Sequence, residues 1–230
     1  MDIRKTYNTI YIFFMRFLKL LGSVAFTSAL LASCCNQEKC GANKEGNCDK
    51  GNCTKVNQTI ETIKTRRSCR IFNPDSMPSK EVLAQIAEAG TWAPTGMGTQ
   101  NPIILVVTQK EMRDRIMRMN AKVMEKDSID PFYGAPCMMI VLCKLGGRTT
   151  VYDGSTVMTT LMLAAKSLGV ESCWIHRAKE EFETEEGKAI LKDLGIEGEY
   201  EGIGHVALGY ANGEIPAPKE RKPDYIHWIE

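Results

Sequence analysis

Histidine is scarce in this chain. There are three in 230 residues, His176, His205 and His227, isolated from one another and without the short ligand spacings of a metal centre, so each is expected to play a structural part. A charge excess is also missing, with 29 basic residues against 28 acidic. That balance argues against a nucleic-acid binder, which needs a marked basic excess overall or on one face. No long apolar run is present either. The longest, Leu20 to Leu31 and broken only by small residues, falls short of the roughly 20 apolar residues of a spanning helix. There is no internal repeat.

The chain does contain a distinct beginning. Arg16 and Lys19 precede the Leu20–Leu31 stretch, which ends in Leu31-Ala32-Ser33-Cys34. A positive start, an apolar centre of about a dozen residues and a small-residue end describe a signal peptide over residues 1–33. The tetrad resembles a bacterial lipobox, which makes Cys34 the expected lipid anchor and the cell envelope, periplasmic or outer-membrane, the expected location. An uncut signal anchor and a cytoplasmic protein with a mis-assigned start are the alternatives, and translation can begin at Met1 or at Met15. Without residues 1–33 the chain carries 25 basic and 27 acidic residues, a net charge of −2.

The nine cysteines fall into two groups. Cys34, Cys35, Cys40, Cys48 and Cys53 crowd into a polar stretch, and residues 34–58 are too poor in apolar surface to repay ordering, so they are expected to form a flexible tether. Their thiols can pair as disulfides after export. The spacings do not suit paired zinc knuckles, although a metal-storing tether is a further possible reading. Cys69, Cys137, Cys143 and Cys173 sit in apolar contexts and are expected to behave as small core residues.

Residues 59–230 suffice for one domain with a sizeable core. Val82, Leu83, Ile86 and Ala87 after Ser79 predict a capped helix that ends near Gly90 and Pro94. Ile103–Val107 and Cys137–Cys143 are continuous apolar runs of strand length, Glu111–Met124 has a helical period, and Val157 to Leu168 lines one face of a long helix. Strands at Ser172–His176 and Val206–Tyr210 and a helix around Glu185–Leu194 complete a mixed α and β pattern with at least four strands.

Three segments carry chemistry. Arg66, Arg67, Ser68 and Arg70 place three guanidiniums and a hydroxyl within five positions, a donor set suited to a phosphate or to a solvated surface. Ala93-Pro94-Thr95-Gly96-Met97-Gly98-Thr99-Gln100-Asn101 joins a predicted helix to a predicted strand. Its glycines allow close main-chain approach to a ligand, and the amides of Gln100 and Asn101 can face a heterocycle edge. An ordinary turn is the alternative. Trp92, just before it, suits either a pocket wall or the core. Lys219 and Arg221 stand in a proline-stiffened basic segment near the end, which read alone is a solvated tail.

In this order and spacing the segments resemble the FMN-dependent nitroreductases. Arg66, Arg67, Ser68, Arg70 and Phe72 match that family's opening motif, Pro94, Thr95, Gly96 and Gln100 its flavin loop, and Lys219 and Arg221 its closing phosphate contacts. The stretches around Asp153 to Ile175 and Gly202 to Tyr210 match as well. Many members carry an asparagine where this chain has Met97, Gly98 and Thr99. The resemblance implies an α+β, nitroreductase-like fold with a central, mainly antiparallel sheet flanked by helices, and a homodimer sharing the flavin sites. It further implies FMN as cofactor, NADH or NADPH as co-substrate, and ping-pong reduction of nitroaromatics, quinones or similar small acceptors, with no catalytic side chain required. A lipid-anchored flavin binder without nicotinamide-dependent turnover, and a dehalogenase or ene-type offshoot, are the alternatives.

Overall fold

The structure is a computed structural model that describes residues 57–230. The expected signal peptide, the lipid site Cys34 and the tether cysteines lie outside the described residues.

The apolar run at 137–143 becomes the strand around which the domain is built. Strand β2 (Cys137–Lys144) is buried along almost its whole length and lies between β1 (Pro102–Val107) and β4 (Tyr200–Gly209), with β3 (Glu171–Ile175) outside β4. Every pairing of named strands is antiparallel. Both faces of β2 are covered, which is why it reads as a continuous apolar run rather than an alternating one. Met138, Ile140 and Leu142 point into a core shared with Phe132, Ile116 and Phe182. Cys137, Met139, Val141 and Cys143 point into a second core with Ile86, Met158 and Leu161. All four cysteines of the domain are buried free thiols, as their apolar contexts predict.

On the first face pack α3 (Lys110–Val123), α5 (Ala178–Glu183) and α6 (Glu185–Asp193). On the second pack α2 (Lys80–Thr91) and the long α4 (Thr150–Ser167). Ser79 caps α2 by accepting from the Val82 N–H at 3.3 Å. Two helices have no counterpart in the sequence expectations. The first, α1 (Gln58–Thr65), is capped by Asn57 and buries none of its residues. The other, α5, spans six residues after Arg177 in a left-handed conformation and is held by burial of Ala178, Glu181 and Phe182. Neither is long enough to show a clear period.

The β2–β4 register shifts between Val141 and Leu142, which face Gly204 and Gly202 and leave Ile203 as the extra residue of a bulge. Glycine is required on both sides of it. A Cβ on Gly202 would lie 2.2 Å from the Ala178 carbonyl oxygen, and one on Gly204 would lie 2.7 Å from Trp174 Nε1. Beyond the bulge, His205 is fully buried under the edge of Phe132. Its Nε2 lies 3.2 Å from Glu181 Oε2 without the alignment of a hydrogen bond. Asn120 Nδ2 donates to Glu181 Oε1 and to the His176 carbonyl, and Arg177 Nε donates to Asn120 Oδ1. This network ties α3 to α5 and to the end of β3, while His205 is held by packing against Phe132.

Candidate functional site

Of the three chemical segments, the arginine run follows α1 and adds to the outer edge of the sheet. Arg67 turns back, with Nη1 donating to the Lys64 and Arg66 carbonyl oxygens at 2.6 and 2.7 Å, and so closes the end of α1. Ser68 then forms a parallel bridge with Ser172 of β3, and the Cys69 N–H donates to the Ser172 carbonyl at 3.0 Å. Arg66 is half-buried and Arg70 exposed, and neither makes an ion pair among the described residues. Their charges act on the neighbouring Cys173 thiol. Burial pushes that thiol up from its ordinary range, while Arg70 and Arg66 pull it the other way.

The basic tail starts beside this run. The Asn73 N–H donates to the Tyr210 carbonyl and the Asn212 N–H to the Ile71 carbonyl, both at 2.9 Å. The chain therefore leaves the sheet next to the arginine segment. Lys219 and Arg221 lie further along, exposed and without an ion pair among the described residues.

The glycine loop is held from α4. The Gly96 N–H donates to Oδ1 of buried Asp153 at 2.9 Å, and Thr149 Oγ1 donates to Oδ2 at 3.0 Å. Thr156 Oγ1 donates to the Pro94 carbonyl at 3.0 Å. Within the loop, Thr95 Oγ1 accepts from the Gln100 N–H at 3.0 Å. Met97, Gly98 and Gln100 all have positive φ, so the main chain is folded outward at the tip, where Met97 is 99% exposed. Beside the loop runs a mainly apolar groove of about 430 Å³ lined by Ala87, Gly90, Ala93, Thr95, Gln100 and Val157 among others, within the size range of small-molecule sites. Trp92 is 83% exposed, which removes the core reading of that side chain.

The Asn101 amide is not available to a heterocycle. Its Nδ2 donates to the Lys144 carbonyl at 3.0 Å and its Oδ1 accepts from the Lys144 N–H at 2.8 Å, so it latches the start of β1 to the end of β2. Nothing in the sequence pattern pointed to Thr149 or Thr156 as loop anchors, and Asp153 stood out there only as the start of a matching stretch. An acid in the first turn of a helix is the one local signal that could have singled out Asp153.

The glycine loop and the arginine run lie near opposite ends of α4. The loop is fastened near the start of α4, while the arginine run lies on β3 just past its end, where Lys166 pairs with Glu171 at 2.7 Å. From Asp153 to Lys166 the helix rises about 20 Å at roughly 1.5 Å per residue.

Residues 63–210 match the model of the nitroreductase family. A protein of Archaeoglobus fulgidus provisionally named an NADH dehydrogenase/NAD(P)H nitroreductase is 29% identical over 181 residues, covering 75% of this chain and 98% of that one. Among solved structures, a nitroreductase with bound FMN from Bacteroides fragilis shares 31% identity at a TM-score of 0.68, and another from Desulfitobacterium hafniense 32% at 0.67. Each match covers 76% of this chain and 100% of the other.

Proposed function

The chain belongs to the nitroreductase family, and on that premise we propose that it is an FMN-dependent oxidoreductase acting on small electron-poor acceptors such as nitroaromatics or quinones. The observation that carries the reading is the pair of guanidiniums, Arg66 and Arg70, placed around the Ser68 bridge at the edge of β3 with no acidic partner among the described residues. Cations free of acid partners, a hydroxyl and a nearby basic tail form a donor set that fits a phosphate dianion. The outward-folded loop with its apolar groove fits the planar, mostly apolar ring of the same cofactor.

In this reading Arg66, Ser68, Arg70, Lys219 and Arg221 hold the phosphate. Pro94, Thr95, Gly96 and Gln100 shape the wall facing the ring, with Asp153 and Thr156 fixing the position of that wall. FMN held there would supply the two-electron redox chemistry between NADH, NADPH or another donor and the acceptor. The side chains bind, orient and exclude water, and none is required to exchange a proton with substrate.

The separation of about 20 Å along α4 supports a homodimer in which the arginine run of one protomer and the loop of its partner serve the same flavin. Exposed apolar side chains on the elements that carry both halves, Ile60, Ile63, Trp92, Met97 and Tyr152, support the same assembly, because a second copy would cover them. We further propose that Cys34 is lipidated and holds the protein at the cell envelope, supported by the Leu31-Ala32-Ser33-Cys34 tetrad.

The test is an absorption spectrum of the purified protein, reconstituted with FMN, before and after anaerobic addition of NADH and then NADPH. Flavin bands that bleach establish the reductase and identify its donor. Bands that persist point to a different donor or to a passive flavin binder, and the absence of bands overturns the proposal.

A further inference from the structure

Cys69 and Cys173 are neighbours on adjacent, parallel stretches of chain. Ser68 bridges Ser172 in parallel register, and the Cys69 N–H donates to the Ser172 carbonyl at 3.0 Å. Each cysteine is the next residue after its bridged serine, so the two stand side by side. The Ser68 hydroxyl also reaches the Cys173 thiol, and the Cys69 thiol acts on it through space, so the two sulfurs lie in one small neighbourhood. Both are 3% exposed and belong to one buried cluster with Phe72 and Ile175. Adjacent strands run about 4.8 Å apart, inside the roughly 4.4–6.8 Å between α-carbons that a disulfide spans.

We propose that Cys69 and Cys173 are a disulfide site, oxidised as the chain folds by exchange with a small-molecule disulfide such as oxidised glutathione. The two thiols give up two protons and two electrons to form one S–S bond, and the oxidant's S–S bond is cleaved to two thiols. In the dithiol form described here each sulfur points at a main-chain carbonyl, Cys69 Sγ at Ile71 and Cys173 Sγ at Trp174, so closing the bond requires rotation of both side chains. Burial raises both thiols above their ordinary range, with the Glu171 charge adding to the effect at Cys69. The folded dithiol therefore holds little thiolate and exchanges slowly, which places the oxidation during folding.

The bond would close a loop of about a hundred residues, where cross-links constrain the unfolded chain most in the loop-entropy picture. It would also staple the segment between α1 and Phe72 to β3. That segment carries the arginines assigned above to the phosphate, and only this last consequence rests on the flavin reading.

The test is to refold the full chain in a glutathione redox buffer, block free thiols by alkylation under denaturing conditions, and map peptides without reduction. The expected result is a peptide pair joined through Cys69 and Cys173, two hydrogens lighter than the sum of its parts and absent from Cys69→Ala and Cys173→Ala. A lowered thermal midpoint on adding reductant to wild type, with no such shift in the double alanine variant, is expected alongside it. Full alkylation of Cys69 and Cys173 after oxidative refolding, or linkage of either to a cysteine in residues 34–58 instead, would overturn the proposal. None of these readouts involves flavin, so they stand or fall separately from the reading of the active site.

Discussion

The Gly96 N–H and the Asp153 carboxylate meet at 2.9 Å across 57 residues of sequence. Asp153 is 4% exposed, and its second oxygen is taken by Thr149 Oγ1. The contact sets the height of the whole loop over α4, because a Cβ on Gly96 would lie 2.3 Å from that same Thr149 oxygen.

Asp153→Ala therefore strands two donors at a buried position and should cost about 1–3 kcal/mol. Asp153→Asn keeps an acceptor for Gly96 and should cost less. Urea unfolding of the two variants checks this, and equal stability of both with wild type would show that the carboxylate does not hold the loop.

Gly96→Ala should destabilise by about 1–3 kcal/mol through overpacking against Thr149. Thr149→Ala removes the obstructing hydroxyl, so the double variant should lose less than the sum of the two single changes. An additive double-mutant cycle would mean that the two residues do not touch in solution.

Asn101→Ala breaks both hydrogen bonds to Lys144 and should lower stability by about 1–2 kcal/mol. Flavin occupancy should be unchanged, since this amide is engaged by β2. Lost flavin with unaltered stability would return Asn101 to the ring.

Arg66→Ala and Arg221→Ala should each weaken FMN binding by about 1.5–3 kcal/mol, the value of a hydrogen bond to a charged group. Arg67→Ala should leave affinity nearly unchanged and cost only a few tenths to about 1 kcal/mol of stability, as for a helix-end cation. Fluorescence titration with FMN separates the two classes, and an effect of Arg67→Ala equal to that of Arg66→Ala would contradict the division of roles.

Stability should fall at alkaline pH. Burial pushes the Cys137 and Cys143 thiols from about 9 up to about 12, with Asp153 and Glu201 adding to the effect at Cys143. Above pH 9 the unfolded chain releases these protons while the folded chain keeps them, so the stabilisation is complete below pH 9 and is lost as pH rises through 12. The slope should approach about 1.4 kcal/mol per pH unit for each thiol. Cys137→Ala and Cys143→Ala should flatten the profile between pH 9 and 11 measured by thermal unfolding.

Much of the fold is legible in local pattern. The apolar runs at 103–107 and 137–143 become β1 and β2, and the helical period through Val157, Leu161 and Leu168 becomes α4 with its C-cap. Burial imposes those patterns residue by residue, so they survive in the sequence alone. Helix α5 does not, because six residues held by long-range burial of Phe182 and Glu181 leave too short a record.

The strands, the long helices, the buried cysteines and the order of arginine run, glycine loop and basic tail can all be read directly from the chain. These are properties of composition and of spacing along the chain. Tertiary structure alone fixes that Arg67 closes a helix while Arg66 and Arg70 have no acid partner among the described residues, that Asn101 latches two strands, and that Asp153 carries the loop. It also decides that the glycine loop and the arginine run sit near opposite ends of α4. Each of these depends on which donor meets which acceptor in space, and a hydrogen bond between residues 43 or 57 positions apart leaves no periodic trace in the sequence.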